Sequence, residues 1–418
     1  MNAQGQITQD IRFGSRMLRR NPGFSIVAIL SLALGISVNI AVFSVISTVL
    51  LEPLPYPNAE RLVAFTDPVN ASNGVPYKAG IAGADFAEWR VRAQAFEKLT
   101  AYTYADATIA RTNTAIQTRV ISIAGDFWAI TGAHASYGRL FAPEQSLNSV
   151  VLSYSLFRDQ FRADPSLIGK VITLDGTRMT VTGVLPSDFR FLFPQDWWGG
   201  LAPSQAGAFV SAPPLVRSPP SRLFVIARLK PFIRRDAART ELQGIESNLL
   251  KSYPDRWFPG VSHMDLVPLQ TRLTASHRHA LLILQVAGLF VLLIACANIA
   301  NLLLARGAAR THEVAIRSAI GASATRILQQ FLAEGILLAL LGGSAGLLMA
   351  KWMMLMLIHF GPHAIPRLSE MSIDRRVLGF TLILCLGSSI LFAIGPALAL
   401  CRANVQNAFK EGARGFSL

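Results

Sequence analysis

Four long apolar runs, Phe24–Leu51, Ala280–Ala305, Leu332–Ile358 and Val377–Leu400, constrain this chain more than any other feature. The shortest of them holds 24 residues. A helix rises about 1.5 Å per residue, so each run can cross a hydrocarbon core about 30 Å thick. Helices of soluble proteins average only about 11 to 12 residues, which argues against four buried soluble helices of this length. Between the first and second runs lie 228 mostly polar residues, 52–279, and the remaining runs follow closely. The pattern predicts one span, a large hydrophilic domain, and then three more spans.

Charge orients the spans. The chain carries 39 Lys and Arg against 25 Asp and Glu, a net charge of +14. That balance invites a nucleic-acid partner, but the distribution argues for none. Segments 1–23, 306–326 and 401–418 together hold 11 cations and 3 anions, whereas 52–279 holds 24 cations and 19 anions. Cations in short loops resist translocation and meet anionic lipid on the cytoplasmic side. Both termini and 306–326 are therefore expected inside, and the large domain and the 359–376 loop outside. Arg367, Arg375 and Arg376 in that outer loop dilute the signal, partly offset by Glu370 and Asp374. The first run is about twice the apolar length of a signal peptide and reads as an uncleaved anchor. Ahead of it, Ile7, Ile11 and Leu18 share one helical face between arginines, and Asn21-Pro22-Gly23 breaks the pattern. Segment 1–23 reads as a cytoplasmic amphipathic helix at the interface, against a plain solvated leader.

Cys296, Cys385 and Cys401 all lie in or at the ends of apolar runs, so 52–279 contains no disulfide and no cysteine-based zinc site. At 228 residues it can bury a core without them. Strand and helix signals alternate there. Arg61–Thr66 reads as a strand, followed by a helix with Asp85 as N-cap, Glu88 completing a capping box, and Phe86, Trp89 and Phe96 on one face. Leu99–Ile109 and Ile116–Ala124 read as strands. Val150–Leu152 begins a further unit, with a short helix bearing Leu156, Phe157 and Phe161. Lys170–Asp175 and Arg178–Leu185 form a hairpin around Asp175-Gly176, and 186–220 reads as irregular. Arg222–Leu229, Asp236–Leu250 and Val261–Leu269 then give strand, helix and strand. The fold class is α+β, in two subdomains, with the first and last β/α units packed together.

The chemistry of an enzyme is missing. Gly169-Lys170 is followed by Val171, and Asp164 stands where a phosphate-binding loop needs its first Gly. No His-Glu-x-x-His occurs, and His277 and His279 are two apart, which splays them on a helix. No carboxylate pair stands out, so no catalytic, cofactor or metal residues are assigned, and any energy input must come from a partner. Ionisable residues at or within spans call for a functional hypothesis. Glu334 lies at the cytoplasmic start of the third run, about two helical turns after Arg326; a local charge pairing that orients the helix is the alternative. Lys351 lies seven residues before the end of that run and can snorkel outward.

Within 306–326, Glu313-Val-Ala-Ile-Arg-Ser-Ala-Ile-Gly321-Ala reads as a short amphipathic helix ended by glycine. Val314 and Ile316 can fill an apolar surface, with Glu313 and Arg317 at i,i+4 on the open side. Such a helix beneath two spans suits docking to a cytoplasmic protein. The segment resembles the coupling helix of the MacB-like/FtsX-like ABC transporter permeases. Asn21-Pro-Gly-Phe24 with Leu32-Ala-Leu-Gly35 resembles their first span. Val151–Phe157, Ile168–Gly176 and Val181–Pro186 are similar to their periplasmic core domain, and Leu292–Arg306 to their second span.

The resemblance covers essentially the whole chain. It implies a bacterial inner-membrane protein with four transmembrane helices and a large α+β periplasmic domain, a MacB-like periplasmic core, inserted between helices 1 and 2. The domain would comprise porter-like parts, 52–147 and 221–279, and an inserted subdomain, 148–220. The implied partners are a cytoplasmic ABC ATPase subunit, a second permease protomer, a periplasmic adaptor and membrane lipid. The ATPase would engage a coupling helix at Glu313, Val314, Ile316, Arg317 and Gly321. The implied function is ATP-driven mechanotransmission for efflux of an amphiphile; the alternative is an FtsX-like signal transmitter controlling a periplasmic partner such as a cell-wall hydrolase. Fused members carry their ATPase at the N-terminus, and here 23 residues precede the first run. Duplicated members carry two such units and here there is one, so the chain is a stand-alone unit or part of a longer gene.

The charge asymmetry is testable by labelling. Cysteines introduced at Asp175 and His363 should react with a membrane-impermeant thiol reagent in cells with a permeabilised outer membrane. One at Thr311 should react only after lysis, and its labelling in intact cells would sink the four-span topology.

Overall fold

The computed structural model describes residues 22–66, 81, 83–110, 115–142, 147–189, 191, 206–211, 223–252, 265–308, 324–360, 371 and 373–392. The expected leader helix and most of the 306–326 segment lie outside these residues. In chain order, α1 (Pro22–Ile46) continues through a π-helical turn, Ser47–Leu51, to β1 (Leu62–Thr66), α2 (Gly83–Arg92), β2 (Phe96–Ala110) and β3 (Ala115–Gly125). Then come α3 (Phe127–Thr131), β4 (Tyr137–Gly138), β5 (Ser149–Leu152), α4 (Tyr154–Phe161), β6 (Val171–Leu174), β7 (Thr177–Val184) and β8 (Ala206–Ser211). β9 (Phe224–Leu229), α5 (Arg235–Ser252), β10 (Asp265–Pro268), α6 (Leu269–Ala308), α7 (Ala324–Phe360) and α8 (Arg375–Phe392) follow. The chain divides into two compact units, one spanning Glu52–Arg278 and one holding the apolar helices.

In the polar unit the first and last β/α segments interleave. β1 pairs antiparallel with β10 on one side and β9 on the other, and β9 pairs antiparallel with β2 over Phe96–Tyr102. The order β10-β1-β9-β2, with α2 and α5 as crossovers, is the ferredoxin-like split β-α-β arrangement. Both helices pack on this part of the sheet through Phe86 and Trp89 of α2 and Ala238 and Leu242 of α5, against Phe65, Phe96, Val225 and Leu266. Trp89 is fully buried and stacks on Phe65 at 5.0 Å. The Glu241 carboxylate of α5 accepts from the backbone N–H groups of Gln94 and Ala95, which ties the end of α2 to α5.

β2 and β3 are long enough to enter a second arrangement. Beyond Tyr102, β2 stays paired with β3, and at Ile109 and Ala110 it also pairs with β6. The pairings β2-β3-β8-β5-β7-β6-β2 close a circuit of six strands, in which β3/β8 and β5/β7 are parallel. Its apolar cluster takes Ile109, Val120, Val150, Ile172, Val181 and Ala208 from the strands and Phe157 from α4. Ser153 caps α4 by accepting from Leu156 N. The Asp175-Gly176 hairpin forms as expected, with both residues at positive φ, and Asp175 binds the Thr108 backbone of β2.

Three details depart from the sequence reading. The helix expected to start after Asp85 begins at Gly83, so Asp85 sits in its first turn, still near the positive end of the helix dipole. Ala206–Ser211, within a segment expected to be irregular, is a strand because β3 and β5 flank it on both sides. Its Ala and Gly content gives it little β propensity of its own. The strand expected at Val261–Leu269 covers Asp265–Pro268 among the described residues, and Leu269 already belongs to α6.

Among the described residues four helices are long and apolar enough to cross a membrane: Pro22–Leu51, Arg278–Leu302, Gly335–Leu357 and Arg375–Phe392. The first is the most buried of the four within its own unit. Leu32, Ile36 and Ile40 of α1 share one cluster with Leu292 and Ile299 of α6, Leu338 and Ala350 of α7, and Leu384 and Phe392 of α8. Lipid tails are as apolar as leucine, so such helices associate through close packing and polar contacts rather than through hydrophobicity. Gly342 of α7 shows the packing, since a Cβ there would lie 2.6 Å from the Leu32 Cβ.

Candidate functional site

The membrane-type bundle is fastened by a buried amide. Asn39 of α1 is fully buried, and its Nδ2 donates to Gly35 O at 2.8 Å and to Gly288 O of α6 at 2.7 Å. Its Oδ1 accepts from Gln285 Nε2 at 2.8 Å. The approach is close at Gly288, where a Cβ would lie 3.1 Å from Asn39 Oδ1 and push the amide back by a few tenths of an ångström. Further along α1, Phe43 stacks on Phe380 of α8 with ring centroids 4.1 Å apart. At the π-helical turn, the Ser47 hydroxyl donates to Asp374 Oδ2 at 3.5 Å, while Asp374 Oδ1 accepts from Val377 N at 2.8 Å and caps α8. α1 is thus joined by polar or aromatic contacts to α6 and α8 and by close packing to α7.

The polar unit brings its own two ends together in one apolar cluster. Leu54 and Tyr56, from the segment following α1, are buried with Leu269 and Leu273 at the start of α6 and with Phe127, Ile130 and Tyr102. Gln270 Nε2 donates to Glu52 O at 3.0 Å. Arg228, in the interior strand β9, is only 5% exposed. Its Nη2 donates to Pro57 O and Ile130 O at 3.0 Å and to Ala129 O at 3.2 Å. The last two carbonyls belong to the end of α3, where no further helical turn supplies donors. Gly132 caps α3 in the left-handed conformation at φ 68 and lies against Pro57, where a Cβ would come within 2.7 Å of the ring. Hydrogen bonds from a charged donor contribute about 1.5–3 kcal/mol each, so the incoming 52–58 segment is held firmly.

Elsewhere on the polar unit, the charged side chains that line the described grooves are tied to their immediate neighbours. Two open grooves of about 430 and 450 Å³ line the six-strand part, one with Asp106, Arg119 and Asp159, the other with Asp164 and Lys170. Arg119 is paired with Asp106, and hydrogen bonds from Arg158 hold the Asp159 carboxyl below its usual range. The Ser166 hydroxyl and backbone N–H do the same for Asp164. Among the described residues no group of three or more His, Cys, Asp or Glu is placed to hold a metal ion.

Of the residues singled out by sequence, Glu313, Val314, Ile316, Arg317 and Gly321 lie outside the described residues. Glu334 falls within α7, but its side chain is not described; Lys351 is exposed on the same helix. Asn39, Gln285 and Arg228 were not singled out. Asn39 carried a readable signal, because an amide in the middle of an apolar run must find a partner away from lipid. Arg228 carried none, since a lone Arg in a strand looks the same whether its side chain points to solvent or inward.

The fold is that of a multi-pass membrane protein with a large α+β domain between its first and second apolar helices. A family model for the MacB-like periplasmic core domain matches residues 25–245, and one for the FtsX-like permease C-terminal region matches 286–405. The chain belongs to the MacB-like/FtsX-like ABC transporter permeases. The macrolide export ATP-binding/permease protein MacB of Chromobacterium violaceum is 28% identical over 241 residues, covering 56% of this chain and 35% of that protein. The protein of the same name from Neisseria meningitidis serogroup A is 25% identical over 317 residues, covering 75% and 46% respectively. The chain therefore spans about a third to a half of the length of these relatives. The crystal structure of the periplasmic region of MacB from Actinobacillus actinomycetemcomitans aligns with a TM-score of 0.38 and 14% identity, covering 52% of this chain and 94% of that one.

The Asn39–Gln285 link is testable by a double-mutant cycle on the detergent-solubilised chain. Asn39→Ala and Gln285→Ala should each lower thermal stability, and together should cost less than their sum by about 0.5–2 kcal/mol. Additive losses would mean that the two amides do not work as a pair.

Proposed function

We propose that the chain is the membrane permease subunit of an ABC transporter, taking ATP-driven motion from a separate cytoplasmic ATPase and passing it to a periplasmic domain for export of an amphiphile. The observation that carries this reading is the junction of Leu54 and Tyr56 with Leu269 and Leu273. The two segments covalently continuous with α1 and α6 are packed into one cluster, so displacement of either helix is delivered to a single body. In this reading the protein lies in the inner membrane with both termini cytoplasmic and works as a dimer, with a periplasmic adaptor above and lipid around it. Segments 52–147 and 221–279 form the porter-like part and 148–220 the inserted subdomain. Glu334 lies at the cytoplasmic start of the third span, and Lys351, seven residues before the end of its apolar run, snorkels outward. The nucleotide chemistry belongs to the ATPase, since the Gly169-Lys170 pair lacks the remaining residues of a phosphate-binding loop.

The FtsX-like match over 286–405 supports a second reading, in which the same motion controls a periplasmic partner such as a cell-wall hydrolase. Loss of export or resistance on deletion favours the first reading; altered wall turnover or division favours the second.

Coupling is assigned to Glu313, Val314, Ile316, Arg317 and Gly321. Reversing the charges with Glu313→Lys and Arg317→Glu should leave membrane insertion intact but abolish co-purification with the cognate ATPase and stimulation of its ATP hydrolysis. Juxtaposed like charges at a docking surface cost several kcal/mol, on the order of a thousandfold in affinity. A double variant that binds and stimulates like the wild type would contradict the coupling assignment.

A further inference from the structure

Arg228 differs from the salt-bridged cations of the polar unit; of its described cations only Arg228 and Arg272 are buried, each 5% exposed. Arg61, Arg92, Lys98, Arg119, Arg158 and Arg239 each pair with a carboxylate at or near the surface. Arg228 is buried, and among the described residues no carboxylate lies within salt-bridge distance of it. A buried guanidinium carries a large desolvation cost, which an apolar side chain of similar volume would not. What the guanidinium supplies instead is donors. One nitrogen, Nη2, serves three carbonyls from two segments far apart in sequence, Pro57 and the Ala129–Ile130 turn. Nη2 has only two hydrogens, so at least one is shared, while the buried Nε has no hydrogen-bond partner. The whole connection therefore runs through a single atom.

We infer that Arg228 is a positioning residue for the transfer of motion, clasping the incoming 52–58 segment to the end of α3 and, through its own strand, to the middle of the ferredoxin-like sheet. This inference rests on the permease reading above. β9 lies between β1 and β2, and β2 continues into the six-strand circuit. A pull on 52–58 thus reaches both parts of the domain through Arg228 and Pro57, in parallel with the apolar contacts of Leu54 and Tyr56. Gly132 packs on the Pro57 ring in the same joint.

The test is hydrogen–deuterium exchange on the full chain in complex with its ATPase, in nucleotide-free and vanadate-trapped states. Arg228→Met keeps volume and removes every donor; Arg228→Lys returns three donors on one nitrogen, the number of carbonyls to be served. Arg228→Met should speed exchange in 52–58 and 127–133 by about tenfold or more while leaving β5, α4 and β7 unchanged. The response of β2 and β3 to trapping, present in the wild type, should fall by about threefold or more. Arg228→Lys should recover most of both effects. Unchanged exchange at 52–58 in Arg228→Met would overturn the clasp. So would a uniform rise across β1, β9 and β2 in both variants, which would make Arg228 a residue of general stability. Local loosening with a normal response of β2 and β3 would show that motion does not pass through it. If the wild-type domain shows no response to trapping, the permease reading itself fails, and the exchange at 52–58 still decides whether the clasp exists.

Discussion

Leu54 and Tyr56 bury themselves with Leu269 and Leu273, and this contact organises the domain around it. A domain inserted between two apolar helices must begin and end at the same place. The chain meets that constraint by interleaving its first and last β/α segments, so β10 and β9 flank β1 and all three lie in one sheet. Everything between is free to extend away from this contact, and it does so along β2 and β3, whose far halves carry the six-strand circuit. The hydrogen bonds from Gln270 to Glu52 O and from Arg228 to Pro57 O convert a non-directional apolar contact into a fixed geometry.

The apolar helices solve a different problem. Where lipid surrounds a bundle, burial of leucine discriminates little between right and wrong neighbours. Selection falls to small residues and to the few polar groups with somewhere to go. Asn39 against Gly288 and Gln285, and Ser47 against Asp374, are such groups. Together with Leu32 against Gly342 they make α1 the helix that the other three share.

Much of this was legible in the sequence, for physical reasons. The four runs are readable because length and apolarity suffice to identify a spanning helix. β2, β3 and the Asp175-Gly176 hairpin alternate clearly or carry turn chemistry, and they form close to where the pattern puts them. β8 was not legible, because a short Ala/Gly segment becomes a strand only through its neighbours β3 and β5. The clasp at Arg228 was hidden for the same reason, as its three acceptors come from Pro57, Ala129 and Ile130, about a hundred or more residues away in sequence. Asn39 sat in plain view within an apolar run, though its partner on α6 is fixed only by the packing of the two helices. Non-local contacts of this kind leave no periodicity to read.

The central claim is that the two ends of the outer domain move as one body. Spin labels at the exposed positions Pro55 and Thr271, in a chain whose Cys296, Cys385 and Cys401 are replaced by serine, report the distance between those ends directly. In complex with the ATPase, double electron–electron resonance should give one narrow distance that is the same in nucleotide-free and vanadate-trapped states. A distance that lengthens or splits on trapping would show the ends moving independently and would contradict the claim.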